Sequence, residues 1–288
     1  MELTDYNEIQ ALLRRHGFRF SKSMGQNFLI APWVPERIAD SARLDKDTAV
    51  LEIGPGVGCL TEQLSRRAGK VLAVELDRSL EGVLRETLGG CDNVEVLFGD
   101  ILRQDSPTLV RGHFGGMRAV VCANLPYNVT RPLLTALLKA GCFDTLTVMI
   151  QREVARRICA GPGTADYGAF GLFVQWHCET ELLFDVPPSC FVPQPKVTST
   201  VIRLTRRERP PVGVKDEALL FRVIRAAFNQ RRKTLVNALS AGLGLGKERA
   251  ERALTACGLD PKVRGEALDI AAFSAISDEL YSLGPADL

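Results

Sequence analysis

Histidine, tryptophan and tyrosine are scarce in this 288-residue chain, with three, two and four copies. His16, His113 and His177 lie far apart in sequence, so histidine offers no ready metal cluster. The eight cysteines stand at 59, 91, 122, 142, 159, 178, 190 and 257, and no two have the C-x-x-C spacing of a zinc or redox site. Several fall in apolar runs, where cysteine behaves as a small hydrophobe. A reducing, cytoplasmic setting without a structural metal is the expectation. No apolar run approaches the roughly 18 residues of a membrane span. The N-terminal stretch carries Glu2, Asp5 and Glu8 and lacks an apolar core segment, which argues against a secretory signal and, more weakly, against a transit peptide. Internal repeats and low-complexity stretches are also missing.

What is present is a 46% hydrophobic, 24% charged composition, enough for one large core plus a smaller unit. Net charge is only +2 but uneven: residues 191–240 hold eleven Lys/Arg against three Asp/Glu, a balance of +8, which leaves −6 for the remainder. Such asymmetry points to a polyanionic partner at one end of the molecule, the plainer alternative being a solvated helix face.

Residues 5–16 have helical spacing. The polar loop Ser21–Leu29 follows, in which Gly25 permits close backbone approach and Gln26 and Asn27 offer amides to a ligand. A helix is predicted over 35–43. Thr48–Ile53 is the first core strand and runs into Gly54-Pro55-Gly56-Val57-Gly58; a helix over 60–67 leads to a second strand, Val71–Val74, ending in Glu75. This is a βαβ unit with a glycine turn and an acid 21 residues after the first glycine, suited to backbone approach and to the hydroxyls of a ribose. It departs from a dinucleotide fingerprint because the third glycine comes one residue early and Cys59 holds the sixth position. Val94–Phe98 is a third strand, closed by Gly99-Asp100-Ile101-Leu102, where Asp100 is either an acceptor for an adenine amine or a helix cap.

Arg118–Cys122, the fourth strand, presents Asn124-Leu125-Pro126-Tyr127, and Thr130-Arg131-Pro132 then looks like a capped helix start. The exocyclic amine of a nucleobase is a poor nucleophile because its lone pair is delocalised into the ring. The Asn124 side-chain oxygen and the Leu125 carbonyl, fixed by Pro126, could hold both N–H hydrogens and favour a pyramidal nitrogen. Tyr127 could stack on a base taken out of its helix. An ordinary strand-to-helix turn uses the same residue types. Yet Gly54, Glu75, Asp100 and Asn124 fall at the ends of four successive parallel strands, the edge at which open α/β sheets bind ligands.

A fifth strand is predicted over 146–150 with a helix from about Arg152, then strand or strand–helix pieces over 169–186 and a last strand ending near Leu204. Between them, Phe191-Val192-Pro193-Gln194-Pro195-Lys196 reads as a proline-stiffened loop presenting Phe191 as a second wall of a base pocket and Lys196 to phosphate. Residues 206–213 form a linker. Helical spacing over 217–229, 232–239, 247–257 and 270–283 makes a small all-helical domain. Gln230-Arg231-Arg232-Lys233 lies between two of these helices, where Arg231, Arg232 and Lys233 could touch phosphates without reading sequence. The division is residues 1–207 and residues 208–288.

The motifs GQNFL, LEIGPGVGCLT, VELD, GDIL, NLPYN, FVPQPKVTS and AFNQRRKTLVNAL, in this order, resemble those of the S-adenosylmethionine-dependent ribosomal RNA adenine N6-dimethyltransferases, most closely the bacterial small-subunit type. The likeness runs from about Gly25 to the C-terminus. It implies a seven-stranded, mostly parallel Rossmann-like α/β sheet with a helical C-terminal RNA-binding domain. It implies four methyl transfers from S-adenosyl-L-methionine to two adjacent adenosines in the 3′-terminal hairpin of small-subunit (16S) rRNA, on an immature small subunit, by a monomer. Carried over by motif, Gln26, Asn27, Leu29, Gly54, Gly56, Glu75, Asp100, Ile101 and Asn124 would hold the cofactor. Asn124, Leu125, Pro126, Tyr127 and Phe191 would handle the target base, and in-line displacement needs no general base. Phe170-Gly171-Leu172 and Gly265 depart from the family pattern.

Competing readings are a macrolide-resistance methyltransferase of large-subunit rRNA, a non-catalytic ribosome-assembly factor, and an NAD-dependent oxidoreductase. The Val-Thr after NLPYN and the QRRKTLVNAL segment weigh against the first, the intact Asn124–Tyr127 tetrad against the second, and the glycine spacing against the third.

Overall fold

The computed structural model describes residues 1–19 and 26–284. Gly25 therefore lies outside the described residues. In chain order the helices are α1 (Tyr6–Arg15), α2 (Trp33–Ser41), α3 (Cys59–Arg67), α4 (Glu81–Leu88), α5 (Ser106–His113), α6 (Thr130–Ala140), α7 (Arg152–Cys159), α8 (Ala169–His177), α9 (Glu217–Asn229), α10 (Leu235–Leu243), α11 (Lys247–Ala256) and α12 (Ile270–Ser282). The strands are β1 (Phe28–Leu29), β2 (Thr48–Ile53), β3 (Lys70–Glu75), β4 (Val94–Phe98), β5 (Arg118–Asn124), β6 (Thr145–Gln151), β7 (Cys178–Val186), β8 (Phe191–Val192) and β9 (Ser199–Arg206).

Two compact units result, Met1–Ala155 with Glu179–Arg206, and Arg156–Cys178 with Arg207–Leu288. In the first, seven strands form one sheet in the order β4-β3-β2-β5-β6-β9-β7. β2 pairs in parallel with β3 and β5, β3 with β4, and β5 with β6, while β9 runs antiparallel to β6. Buried on both faces, β2 reads as a nearly continuous apolar run, as parallel strands do. Val34 and Ile38 of α2 and Leu60 and Leu64 of α3 pack over Val50, Val71 and Val120. Between β2 and β5 the strand order reverses direction, which opens a crevice at their C-terminal ends.

The second unit buries Leu220, Val223, Ile224, Leu239, Leu254, Phe273 and Ile276 around Tyr167, Leu172 and Trp176. The sequence places one boundary after residue 207; the chain instead enters the helical unit at Arg156, leaves it after Cys178 and re-enters at Arg207. The stretch expected as a strand or strand–helix piece folds as helix α8, and its apolar composition does not say which core its residues join. Close packing explains Gly171, whose added Cβ would stand 2.3 Å from the Arg157 carbonyl oxygen.

Two local expectations change. Thr130 does not cap α6; a 3₁₀ turn, Tyr127–Val129, precedes the helix, and the Thr130 hydroxyl donates to the Pro126 carbonyl at 3.1 Å. Phe191 is not carried on an open loop. It pairs with Leu29 in the two-stranded β1–β8 ladder and is 1% exposed within the sheet unit's core.

Candidate active site

The strand tips converge on a cavity of about 200 Å³ lined by Gln26, Asn27, Gly54, Gly56, Glu75, Asp100, Ile101, Asn124, Leu125, Pro126 and Tyr127. Four loops far apart in sequence meet here because each follows a parallel strand of one sheet. Leu29 faces a narrower crevice of about 30 Å³ that shares Asn27, Gly54, Gly56 and Asn124 with the cavity.

Most of the polar residues are anchored by the backbone. The Asn124 side-chain amide donates one N–H to the Asn27 carbonyl at 3.4 Å, which orients the group and leaves its oxygen to accept. Leu125 holds the turn to the sheet through its N–H, which donates to the Met149 carbonyl at 3.1 Å. Glu75 accepts from the backbone N–H of Asp77 at 2.9 Å and from that of Gly56 at 3.3 Å, which ties the glycine turn to the acid. Gly56 has φ +61°, and a Cβ there would meet the Phe28 ring at 3.0 Å, so only glycine lets the turn lie against that ring. Gln26 donates to the Asp77 carboxylate at 2.7 Å. Asp100 takes up the cap reading, its Oδ1 accepting from the Leu102 N–H at 2.9 Å at the start of a 3₁₀ turn, and the residue also lines the cavity.

Several lining residues are apolar members of the quoted motifs that residue type alone does not single out. Phe28, Leu76 and Leu102 line the cavity, and Leu76 stays 55% exposed beside it. Glu52 is a lone acid within the apolar strand Thr48–Ile53, and that position by itself marks it only as part of the strand. It lines the narrow crevice, is 1% exposed, and its Oε2 has no hydrogen-bond partner. Burial pushes its carboxyl up to about 8; the Thr61 hydroxyl offsets part of this, and the nearby Glu75 adds repulsion. Glu75 is itself raised, chiefly by burial. Burial likewise raises the Tyr127 phenol, which remains neutral at physiological pH.

Two sequence-derived site residues are turned to other partners, and three more lie away from the cavity. Phe191 does not line the cavity; its side chain belongs to the apolar cluster with Val34, Ile38 and Val186. Apolar alternation along a two-residue ladder turns it inward, which proline spacing alone does not reveal. Arg231 is turned onto its own unit: Nε donates to Glu266 at 2.6 Å, Nη1 to the Ala165 carbonyl at 2.7 Å and Nη2 to the Thr164 carbonyl at 3.1 Å. Lys196, Arg232 and Lys233 lie exposed on the surface and do not line the cavity.

Glycine turn, buried acid at the next strand tip and ligand crevice on this strand order are those of a class I methyltransferase of the Rossmann-like type. The fold is shared with the 23S rRNA methyltransferase ErmE, at TM-score 0.67 and 28% identity over 88% of this chain and 99% of that one. It is shared equally with a dimethyladenosine transferase from Plasmodium falciparum, at TM-score 0.69 and 26% identity over 86% and 95%. Among curated relatives, the ribosomal RNA small subunit methyltransferase A of Geobacillus thermodenitrificans is 48% identical over 277 residues, 94% of each chain. That of Clostridium acetobutylicum is 47% identical over 280 residues, 97% of this chain and all of the other. The family model for ribosomal RNA adenine dimethylases matches residues 17–281, and the chain belongs to that family.

Proposed function

We propose that the cavity binds S-adenosyl-L-methionine and that the chain, a cytoplasmic monomer, dimethylates N6 of two adjacent adenosines in the 3′-terminal hairpin of small-subunit (16S) rRNA on an immature small subunit. The curated relatives are named for the small subunit, which favours it over a large-subunit substrate. The orphaned Glu52 oxygen, the Glu75 carboxylate and Asp100 fit a ligand that carries a cation, a ribose diol and an adenine amine. S-adenosylmethionine, when bound, supplies an electrophilic methyl group on a sulfonium centre.

The observation that carries the reading is the Asn124 amide, whose nitrogen is tied back to Asn27 and whose oxygen is left to the cavity beside Tyr127. The Asn124 oxygen and the Leu125 carbonyl accept the two N6–H groups of the target base, and Tyr127 supplies an uncharged ring for it to stack on. Each transfer replaces one N6–H by N6–CH₃ and releases a proton to water, so no side chain has to act as base. Glu52 and Glu75 hold cofactor. Lys196, Arg232 and Lys233 bind phosphate and position the RNA.

Methyl transfer to immature small subunits and to purified small- and large-subunit rRNAs, with products mapped by mass spectrometry, tests the proposal. Two adjacent dimethylated adenosines in the small-subunit RNA are expected. Label confined to large-subunit RNA overturns the substrate assignment.

A further inference from the structure

At the tip of β5 the cavity lining includes a contact that the mechanism leaves unused. The Tyr127 hydroxyl is hydrogen-bonded to the Ser199 hydroxyl at 2.5 Å, across 72 residues of chain. Ser199 opens β9, is completely buried, and stands opposite Gln151 in the antiparallel β6–β9 pair. On either side of it the strand is pinned: the Thr198 carbonyl accepts from the Arg152 N–H at 3.0 Å, and the Thr200 hydroxyl donates to Asp185 at 2.5 Å. Tyr127, by contrast, begins a single 3₁₀ turn. Ser199 is thus a fixed point on the sheet, and Tyr127 is a ring on a short turn that this point holds.

We propose that Ser199 is a positioning residue for Tyr127, and that its tether serves the second methyl transfer to each adenine more than the first. The proposal rests on the reading of Tyr127 as the surface on which the target base stacks. In the first transfer either N6–H can be replaced, and both orientations of the amine are equivalent. After it the nitrogen carries one methyl and one hydrogen. Only the rotamer that places the remaining N–H against an acceptor and the lone pair toward the cofactor is productive. That rotamer is selected only while the base plane stays put, and the plane follows the Tyr127 ring. A ring free to swing lets the monomethylated base settle unproductively or leave.

The test measures monomethyl- and dimethyladenine separately, under single turnover and at steady state, for Ser199→Ala, Tyr127→Phe, the double variant and Tyr127→Ala. Ser199→Ala is expected to slow the second transfer about fivefold to tenfold and the first by less than about threefold, so monomethyladenine accumulates. Tyr127→Phe removes the same hydrogen bond without touching β9. It should raise the mono-to-dimethyl ratio equally, and the double variant should add nothing further. Loss of folded protein would lower both transfers alike and leave the ratio unchanged, and thermal melting reports it independently. An unchanged ratio in Tyr127→Phe, with Tyr127→Ala strongly impaired, overturns the tether while leaving the base seat intact. Full activity in Tyr127→Ala overturns both.

Discussion

In the sheet unit, Asn124, Glu75 and Asp100 each give part of their hydrogen-bonding capacity to nearby backbone and keep the rest for the cavity. In the helical unit, Arg231 gives Nε and both terminal nitrogens to Glu266 and to two carbonyl oxygens of its own chain. Both sets stood out in the sequence as polar residues in a suggestive place. The difference teaches that a polar side chain serves a ligand to the extent that the fold leaves it acceptors or donors to offer. A guanidinium that meets a carboxylate and two carbonyls is doing structural work, whereas a half-satisfied amide at a strand tip is poised for something else.

Substitutions on the two sides should behave as differently as their surroundings. Asn124→Ala is expected to cut methyl transfer by about 10²- to 10³-fold, as loss of a preorganised polar group does, while rRNA affinity by filter binding changes less than about twofold. Glu75→Gln should weaken S-adenosylmethionine binding about tenfold to a hundredfold by calorimetry, since a charge-assisted acceptor becomes a neutral one.

Glu52→Gln separates binding from stability. With an ordinary carboxyl near 4.5 in the unfolded chain and about 8 in the folded one, the native state holds the extra proton between those values. Stability therefore falls as pH rises from about 4.5 to about 8. The glutamine variant lacks that loss: at pH 7 it should be more stable by about 3 kcal/mol, with the gain gone below pH 4.5. Glu75, raised in the same direction, keeps a residual slope in both proteins. The variant should nonetheless bind the cofactor less tightly, so stabilisation and loss of affinity appear together.

In the helical unit, Arg231→Ala should lower thermal stability by about 1–2 kcal/mol, a partly exposed ion pair being discounted for screening. Arg232→Ala and Lys233→Ala should leave stability within about 0.5 kcal/mol. Each should instead reduce the salt dependence of rRNA binding by about one ion. If Arg231→Ala proves as stable as the wild type and loses only RNA affinity, the contrast between the two units collapses.

Much of the sheet unit was legible in advance. Strands and glycine turn announced themselves because parallel strands are continuous apolar runs and their connecting turns require glycine, so Thr48–Ile53 and Val94–Phe98 emerge with the expected bounds. Asp100, ambiguous between cap and ligand acceptor, caps a 3₁₀ turn and also lines the cavity, because a strand tip that starts a helical turn faces the crevice. The assignment of 156–178 to the helical unit was not legible, since periodicity describes one helix face and not the neighbour it meets.

By itself the sequence determined which residues sit at the four strand tips, because local periodicity and turn chemistry act over a few residues. Only the tertiary structure decided that Phe191 turns into the core, that Arg231 clamps its own loop, that Glu52 is left with an orphaned oxygen in a crevice, and that Tyr127 meets Ser199. Those outcomes depend on which distant groups compete for each side chain, and that competition exists only once the chain has closed on itself.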